Sequence, residues 1–325
     1  MTTATEILRA LRANKDGVSG ADLCKRLGVS RAAIWSHIES LRNAGFEIVA
    51  SPHRGYQLTA SPEALVAEDL RARLNSTRII GNEIRVLPQT TSTNDEAVQA
   101  ARTGAKDGLV IFAESQTAGR GRLGRAWHSA AGKGLWFSVV LCPSFAPSDC
   151  TRLTVAAATA LARAIRFTTG LAVQIKWPND LLFEGRKIAG ILMELSAEVD
   201  YIHHVIIGIG MDVNQTASEF PTSIRDIATS LKLASGKNIN RAELAVSVMQ
   251  ELDADYHRVQ SGQFKDVADE WAAQCNTIGQ EVNIQIGAHR HAGRAEALDE
   301  SGALLLRTPH GRIERITGGD VTLAQ

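Results

Sequence analysis

Gln116-Thr-Ala-Gly-Arg-Gly-Arg-Leu-Gly124 is the segment that decides the fold. Its glycines at 119, 121 and 124 formally satisfy Gly-x-Gly-x-x-Gly. That dinucleotide fingerprint needs a strand before it, a helix beginning on it, and an acid about 20 residues later. A strand is predicted upstream, over Gly108–Glu114. The following Arg125-Ala-Trp-His-Ser-Ala-Ala-Gly-Lys-Gly134 is too glycine-rich and aperiodic for a helix, and position 144 is Ser. The Rossmann reading fails. What remains is a loop of about 18 residues carrying Arg120, Arg122, Arg125 and Lys133, and structureless loops of that length are usually functional. Glycines let backbone amides approach an anion closely, and arginines neutralise phosphate by paired hydrogen bonds.

Downstream, Lys176-Trp-Pro-Asn-Asp180 precedes Gly185-Arg-Lys-Ile-Ala-Gly190. Pro178 holds Trp177 extended, so Asn179 and Asp180 come off a strand end. The turn at 184–187 then returns Lys187 on the neighbouring strand, near Asp180. Strands are predicted at Glu83–Pro88, Gly134–Leu141, Ala172–Trp177, Lys187–Leu195 and His203–Met211. Helices are predicted at Asn94–Thr103, Asp149–Thr168 and Asn240–Gly262. The hairpin makes the central sheet mixed rather than wholly parallel.

Both ends differ from this centre. Residues 4–58 read as three short helices and a hairpin. Ser19 and Ser30 are caps, Gly28 ends the second helix, and Ile34, Ile38 and Leu41 form one apolar face. This is the pattern of a winged helix-turn-helix, with Arg31, Trp35, Ser36 and Ser40 off the apolar stripe and His53 and Arg54 at the hairpin tip. Ser61-Pro62-Glu63 reads as the start of a further helix. The last fifty or so residues hold short strands, Val282–Ile286, Arg294–Leu298, Ala303–Arg307 and Arg312–Ile316, spaced as in a small barrel. The expected domains are 1–64, 65–273 and 274–325.

Composition narrows the class. Lys plus Arg and Asp plus Glu are 35 each, so any affinity for nucleic acid must be local. Residues 1–60 carry the bases Arg9, Arg12, Lys15, Lys25, Arg26, Arg31, Arg42 and Arg54 against Glu6, Asp16, Asp22, Glu39 and Glu47. The four cysteines show no CxxC pair, which argues against a disulfide framework or a zinc site. No signal peptide and no spanning apolar run is read, so a cytoplasmic protein is expected. His203-His204 sit on opposite faces of a strand, and His289 and His291 have no acidic or Cys ligand beside them. No metal ligands are assigned. Trp35, Trp136 and Trp271 are read as packing residues.

Gly119–Gly124, KWPND and GRKIAGIL, in this order and spacing, closely resemble the biotin–protein ligases. Ser92-Thr-Asn94, the stretch SRAAIWSHIESLRNAG at 30–45 and the terminal Gly318-Gly-Asp-Val extend the resemblance to the bifunctional biotin–protein ligase and biotin operon repressor family. The resemblance implies an α+β multidomain chain. Its parts would be a winged helix-turn-helix, a mixed α/β ligase domain like that of class II aminoacyl-tRNA synthetases, and an SH3-like β-barrel. It implies ATP, Mg²⁺ and biotin as substrates and cofactors, and biotinyl-5'-AMP as co-repressor. Partners would be a biotin carboxyl carrier protein or other biotin-acceptor domain, operator DNA, and a second copy on adenylate binding, with no membrane.

Residue roles follow from the resemblance. Ser92, Thr93 and Gln116 would bond the ureido end of biotin, with Asn94 beside them and Trp127 shaping the loop above. Arg120 and Arg122, with Gly119 and Gly121, would hold phosphate and adenylate. Lys187 would sit between the carboxylate and the α-phosphate, with Asp180 nearby and Gly190 following. The strand through Gly208, Gly210 and Asp212 would pass the adenine. Ser30, Arg31, Ser36, His37, Arg42 and Arg54 would face DNA. Relatives commonly have Asn where this chain has Asp212. Ionised Asp only accepts hydrogen bonds, so a loss of about 1–2 kcal/mol in ATP binding is expected. Two alternatives stand: a lipoate–protein ligase, and a transcription factor using a catalytically dead ligase domain as sensor.

Overall fold

A computed structural model describes residues 2–74 and 77–323. The chain divides into two compact units, Met1–Ser76 with Asn240–Val246, and Thr77–Ile239 with Ser247–Gln325.

In the first unit, helices α1 (Thr3–Ala13), α2 (Gly20–Leu27) and α3 (Arg31–Asn43) precede a hairpin of β1 (Glu47–Ser51) and β2 (Gly55–Ala60). The starts are set locally. Thr2, Ser19 and Ser30 each accept a backbone N–H of the first turn, and Gly28 closes α2 in the left-handed region at φ 66°. Ile7, Leu8 and Leu11 of α1 meet Leu23, Ile34, Ile38 and Leu41 in one core, closed by Phe46 and Ile48. The hairpin is fastened by paired 2.8 Å bonds between Val18 and Tyr56. Gly55, at φ 71°, permits this approach, because a Cβ there would lie 2.1 Å from the Val18 carbonyl oxygen.

The expected helix at Ser61-Pro62-Glu63 is not there; α4 runs Ala67–Arg73. The Ser61 hydroxyl accepts from Arg12 Nη2 at 2.7 Å instead of capping a helix. Pro62 fills the space over Gly45, 3.1 Å from where a Cβ would stand. These tertiary contacts outweigh a favourable helix-start pattern.

The second unit is built on a seven-stranded sheet. Its strands are β3 (Glu83–Leu87), β4 (Leu109–Ala113), β5 (Gly134–Leu141), β6 (Gln174–Lys176), β7 (Asp180–Phe183), β8 (Arg186–Ala197) and β9 (Ile202–Asp212). Their order is β3-β4-β5-β9-β8-β7-β6, and only β3–β4 is parallel. β7 was not separately legible in the sequence; it is the outgoing arm of the 184–187 turn, where Glu184 and Gly185 take φ 49° and 78°.

Helices cover both faces. Val140 and Ile206 meet α5 (Thr93–Arg102), while the alternate residues Val139 and Ile207 meet α6 (Thr151–Thr169) and α8 (Arg241–Gln260). Sandwiched strands need apolar residues on both sides, so β4 and β5 are buried throughout. Short α7 (Leu231–Ser235) and α9 (Phe264–Gln274) complete the helices. The C-terminal part is a five-stranded antiparallel sheet ordered β13-β12-β11-β10-β14. It comprises β10 (Glu281–Ile286), β11 (His289–Leu298), β12 (Leu304–Arg307), β13 (Ile313–Ile316) and β14 (Asp320–Leu323).

Candidate functional site

A cavity of about 480 Å³ opens over the β9 and β8 strands, within the usual size of a small-molecule site. Its floor is bare backbone. Gly190 on β8 pairs with Gly210 on β9, and Gly208 lies two residues along on the same face. A Cβ on Gly208 would come 2.1 Å from Asn94 Oδ1, and one on Gly210 would come 2.4 Å from the Trp127 indole. The glycines let an amide and an aromatic ring lie directly on the sheet.

One wall comes from the start of α5. Gln116 Oε1 accepts from the Thr93 backbone N–H at 2.8 Å, and Gln116 Nε2 donates to Ser129 at 2.9 Å. Ser138 Oγ lies 2.8 Å from Thr93 Oγ1 and 2.6 Å from Asn94 Oδ1, while Asn94 Nδ2 donates to Glu194 at 2.8 Å. Ser92, Thr93 and Asn94 are buried. The family resemblance placed Thr93 and Gln116 together. It did not reveal Ser138 or Glu194, which reach them through the sheet register, or Ser129, which the folding of the 116–133 loop brings back to Gln116.

The loop 116–133 arches over this floor and is folded on itself. Arg120 bridges to Ala126, and the Trp127 N–H donates to Gly119 O at 2.8 Å. Gly119 does not line the cavity; a Cβ there would press 2.6 Å against the Trp127 carbonyl oxygen, so its role is to close the loop. Arg120 makes a two-pronged pair with Asp95, at 2.8 and 2.6 Å, and approaches Glu194 at 3.6 Å. That hydrogen-bonded pair holds the Asp95 carboxyl below its ordinary value. Arg122 faces neutral oxygens, Asn179 Oδ1 at 3.1 Å and Gly319 O at 3.4 Å, and burial lowers its guanidinium pKa. Arg125 pairs with Asp320. The loop is thus tied to the turn entering β14, a contact that nothing in local pattern could announce.

Lys187 returns to Asp180 as the hairpin requires, with Nζ 2.6 Å from Oδ1 and 5.2 Å from the Trp127 ring centre. Trp127 Nε1 is buried without a hydrogen-bond partner. Arg120, Arg122, Arg125 and Lys187 therefore converge on one cavity with an aromatic plate and a row of amide and hydroxyl groups. Such a site suits a ligand with an anionic, phosphate-like part and a compact polar, apolar-bodied part. Among the described residues no cluster of three His, Cys, Asp or Glu side chains could hold a metal.

In the first unit, Ser30, Arg31, Ser36 and Arg54 are exposed and His37 is half-buried. Arg42 is occupied: its Nε donates to Ile48 O at 2.9 Å, and Nη1 meets Glu39 at 2.6 Å. It fixes the hairpin to α3 rather than facing outward. Trp136 and Trp271 are buried as expected, but Trp35 is 59% exposed, which corrects its reading as a packing residue. It sits off the Ile34–Ile38–Leu41 stripe, where no neighbouring element covers it.

Residues 86–212 match the biotin/lipoate A/B protein ligase family, residues 3–57 an HTH domain, and residues 277–323 the biotin protein ligase C-terminal domain. The bifunctional ligase/repressor BirA of Bacillus subtilis is 36% identical over 312 residues, 96% of this chain and 95% of that protein. This chain belongs to the BirA family. The BirA ligase/repressor of Escherichia coli is 32% identical and spans 97% of this chain and 96% of its own. Among solved structures, a biotin protein ligase from Aquifex aeolicus in complex with biotin and ATP superposes with a TM-score of 0.64 at 30% identity. It covers 75% of this chain and 99% of that one.

Asp212, where the resemblance led to an expectation of Asn, has an environment set by burial. It is 5% exposed, lines the cavity, and accepts from Gln215 Nε2. Burial pushes its carboxyl well above the ordinary range, against the smaller opposing pulls of Gln215 and Lys187. Burial therefore favours the protonated form more than it would be favoured in water. A protonated carboxyl accepts through one oxygen and donates through the other, as an Asn amide does.

Proposed function

We propose that this chain is an ATP-dependent biotin–protein ligase that also acts as a biotin-responsive transcriptional repressor. The observation that carries the reading is the convergence of Lys187, Arg122 and Arg120 over a glycine floor closed by Trp127, in a BirA-family chain. In this reading residues 1–64 bind operator DNA, residues 65–273 hold biotin and ATP, and residues 274–325 fasten the loop.

The biotin carboxylate attacks the α-phosphorus of ATP; one P–O bond forms as the bond to pyrophosphate breaks. No general base is needed, because the carboxylate is ionised near neutral pH. Lys187 and Arg122 offer fixed positive charge where the phosphoryl oxygens gain negative charge. Asp180 orients Lys187 through their 2.6 Å pair. Ser92, Thr93, Asn94 and Gln116 hold the ureido ring, and the strand carrying Gly208 and Asp212 borders the nucleotide. Mg²⁺, bound together with the nucleotide, would add further positive charge against the phosphates. The acyl-adenylate hydrolyses easily, so the tied-down 116–133 loop protects it from water. An acceptor lysine amine then attacks the acyl carbon, loses a proton and expels AMP.

The chain acts as a cytoplasmic protein that dimerises with adenylate bound, pairing two winged helices on an interrupted inverted repeat. The test incubates the full chain with ATP, Mg²⁺ and a biotin-acceptor domain, giving biotin in one arm and lipoate in the other. Mass spectrometry should show a biotinyl increment on the acceptor. A lipoyl increment alone, or none, overturns the ligase reading.

A further inference from the structure

Of the five tryptophans, Trp136 and Trp271 are 0% exposed, Trp177 is 2% exposed and Trp127 is half-buried. Trp35 stands 59% exposed in the middle of α3, and leaving so large a ring in water forfeits burial that a core position would supply. Its surroundings on the helix are specific. Arg31 lies one turn before it and Glu39 one turn after, with Ala32 beside it and Ser36 and Ser40 exposed further round. Glu39 is neutralised by Arg42 at 2.6 Å, and the first turn of α3 has no acidic residue. Elsewhere on the same unit Lys15, Lys25, Arg26, His53 and Arg54 are exposed, against the exposed acids Asp16, Asp22 and Glu47, so the surface is basic on balance. An apolar plate within a basic surface fits a polyanion that offers apolar spots on its reading face. The major groove of DNA does so through the thymine C5-methyl group.

Building on the repressor reading, we infer that Trp35 is a sequence-specificity residue that contacts a thymine methyl group in the operator's major groove, while Arg31 and Arg54 supply phosphate contacts. The test uses the full chain with biotin, ATP and Mg²⁺, and an inverted-repeat duplex selected by that chain from random DNA. Each thymine is replaced in turn by uracil, which removes only the methyl group. One or two symmetric replacements should weaken wild-type binding about tenfold, the size of one good base contact. Trp35→Ala should bind the parent duplex about tenfold more weakly and lose its response to those uracils, with non-specific DNA binding and biotin ligation unchanged. Trp35→Phe, which keeps an apolar ring, should recover part of the discrimination. Acrylamide quenching of tryptophan fluorescence should fall on operator binding in wild type and not in Trp35→Phe. Equal operator affinity in Trp35→Ala, or an undiminished uracil effect, overturns the inference while leaving the repressor reading intact. If operator loss instead tracks weaker dimerisation in sedimentation, Trp35 is a protein contact and the inference fails. Selection of no duplex at all overturns both readings.

Discussion

The arginines of the two units are held in opposite ways. Arg31 and Arg54 stand in solvent on α3 and the hairpin tip, whereas Arg120, Arg122 and Arg125 are bonded in advance to Asp95, Asn179, Gly319 and Asp320. Solvent-facing charges suit a long polyanion met by diffusion, with attraction screened by salt. Pre-bonded charges suit a reaction in which groups must already be in place when charge develops. The same residue type therefore serves encounter in one unit and preorganisation in the other. Arg42, spent on Ile48 and Glu39, shows that exposure rather than residue identity decides which.

The sharpest way to break the contrast is at Lys187. Lys187→Ala should slow single-turnover adenylate formation by on the order of 10²–10³, the usual effect of losing one preorganised donor. A rate within a few-fold of wild type would sink the preorganisation argument. Next comes the loop tie. Arg122→Gly removes the bonds to Asn179 and Gly319, and should still make biotinyl-adenylate but release it roughly 10–100-fold faster, the scale of a charge-assisted hydrogen bond. A chase experiment following adenylate escape checks this, with indiscriminate labelling of bystander proteins as the visible consequence.

The exposed set should behave differently. Arg31→Ala and Arg54→Ala should each lower the salt dependence of operator binding by about one unit of log–log slope, leaving ligation untouched. An unchanged slope would mean that these side chains miss the phosphates. The smallest effect at neutral pH is expected from Asp212→Asn, because burial raises the carboxyl towards the neutral form that an amide resembles. Its KM for ATP should stay within about threefold of wild type near neutral pH, well under one lost polar contact. A carboxyl with a raised folded value binds its proton more tightly when folded. Stability is then lost as pH climbs from the ordinary carboxylate range through the raised value. Thermal melts should accordingly show Asp212→Asn gaining on wild type as pH increases across that window. A difference that stays constant with pH would show that folding does not shift the Asp212 carboxyl.

Much of the first unit was legible because its signals are local. Ser19, Ser30 and Gly28 bound helices through bonds spanning three or four residues, and Ile34, Ile38 and Leu41 mark a face by spacing alone. The Lys187–Asp180 pair was legible too, since a two-residue turn fixes how far the chain returns. Ser138, Glu194 and Asp320 were not, because they reach the site across strand pairings or from a distant part of the chain, and Ser129 depends on how the 116–133 loop folds back. The helix start at Ser61-Pro62 misled because Arg12 claims the hydroxyl.

By itself, then, the amino-acid order determined most of the element types, the winged helix, the glycine- and arginine-rich loop and the hairpin bearing Asp180 and Lys187, which are set by short-range sterics, capping and periodicity. Only the tertiary structure decided which charges are free and which are bonded, that Trp35 faces water, and that burial raises the Asp212 carboxyl. Exposure and desolvation are properties of what packs around a group, and that depends on residues tens to hundreds of positions away.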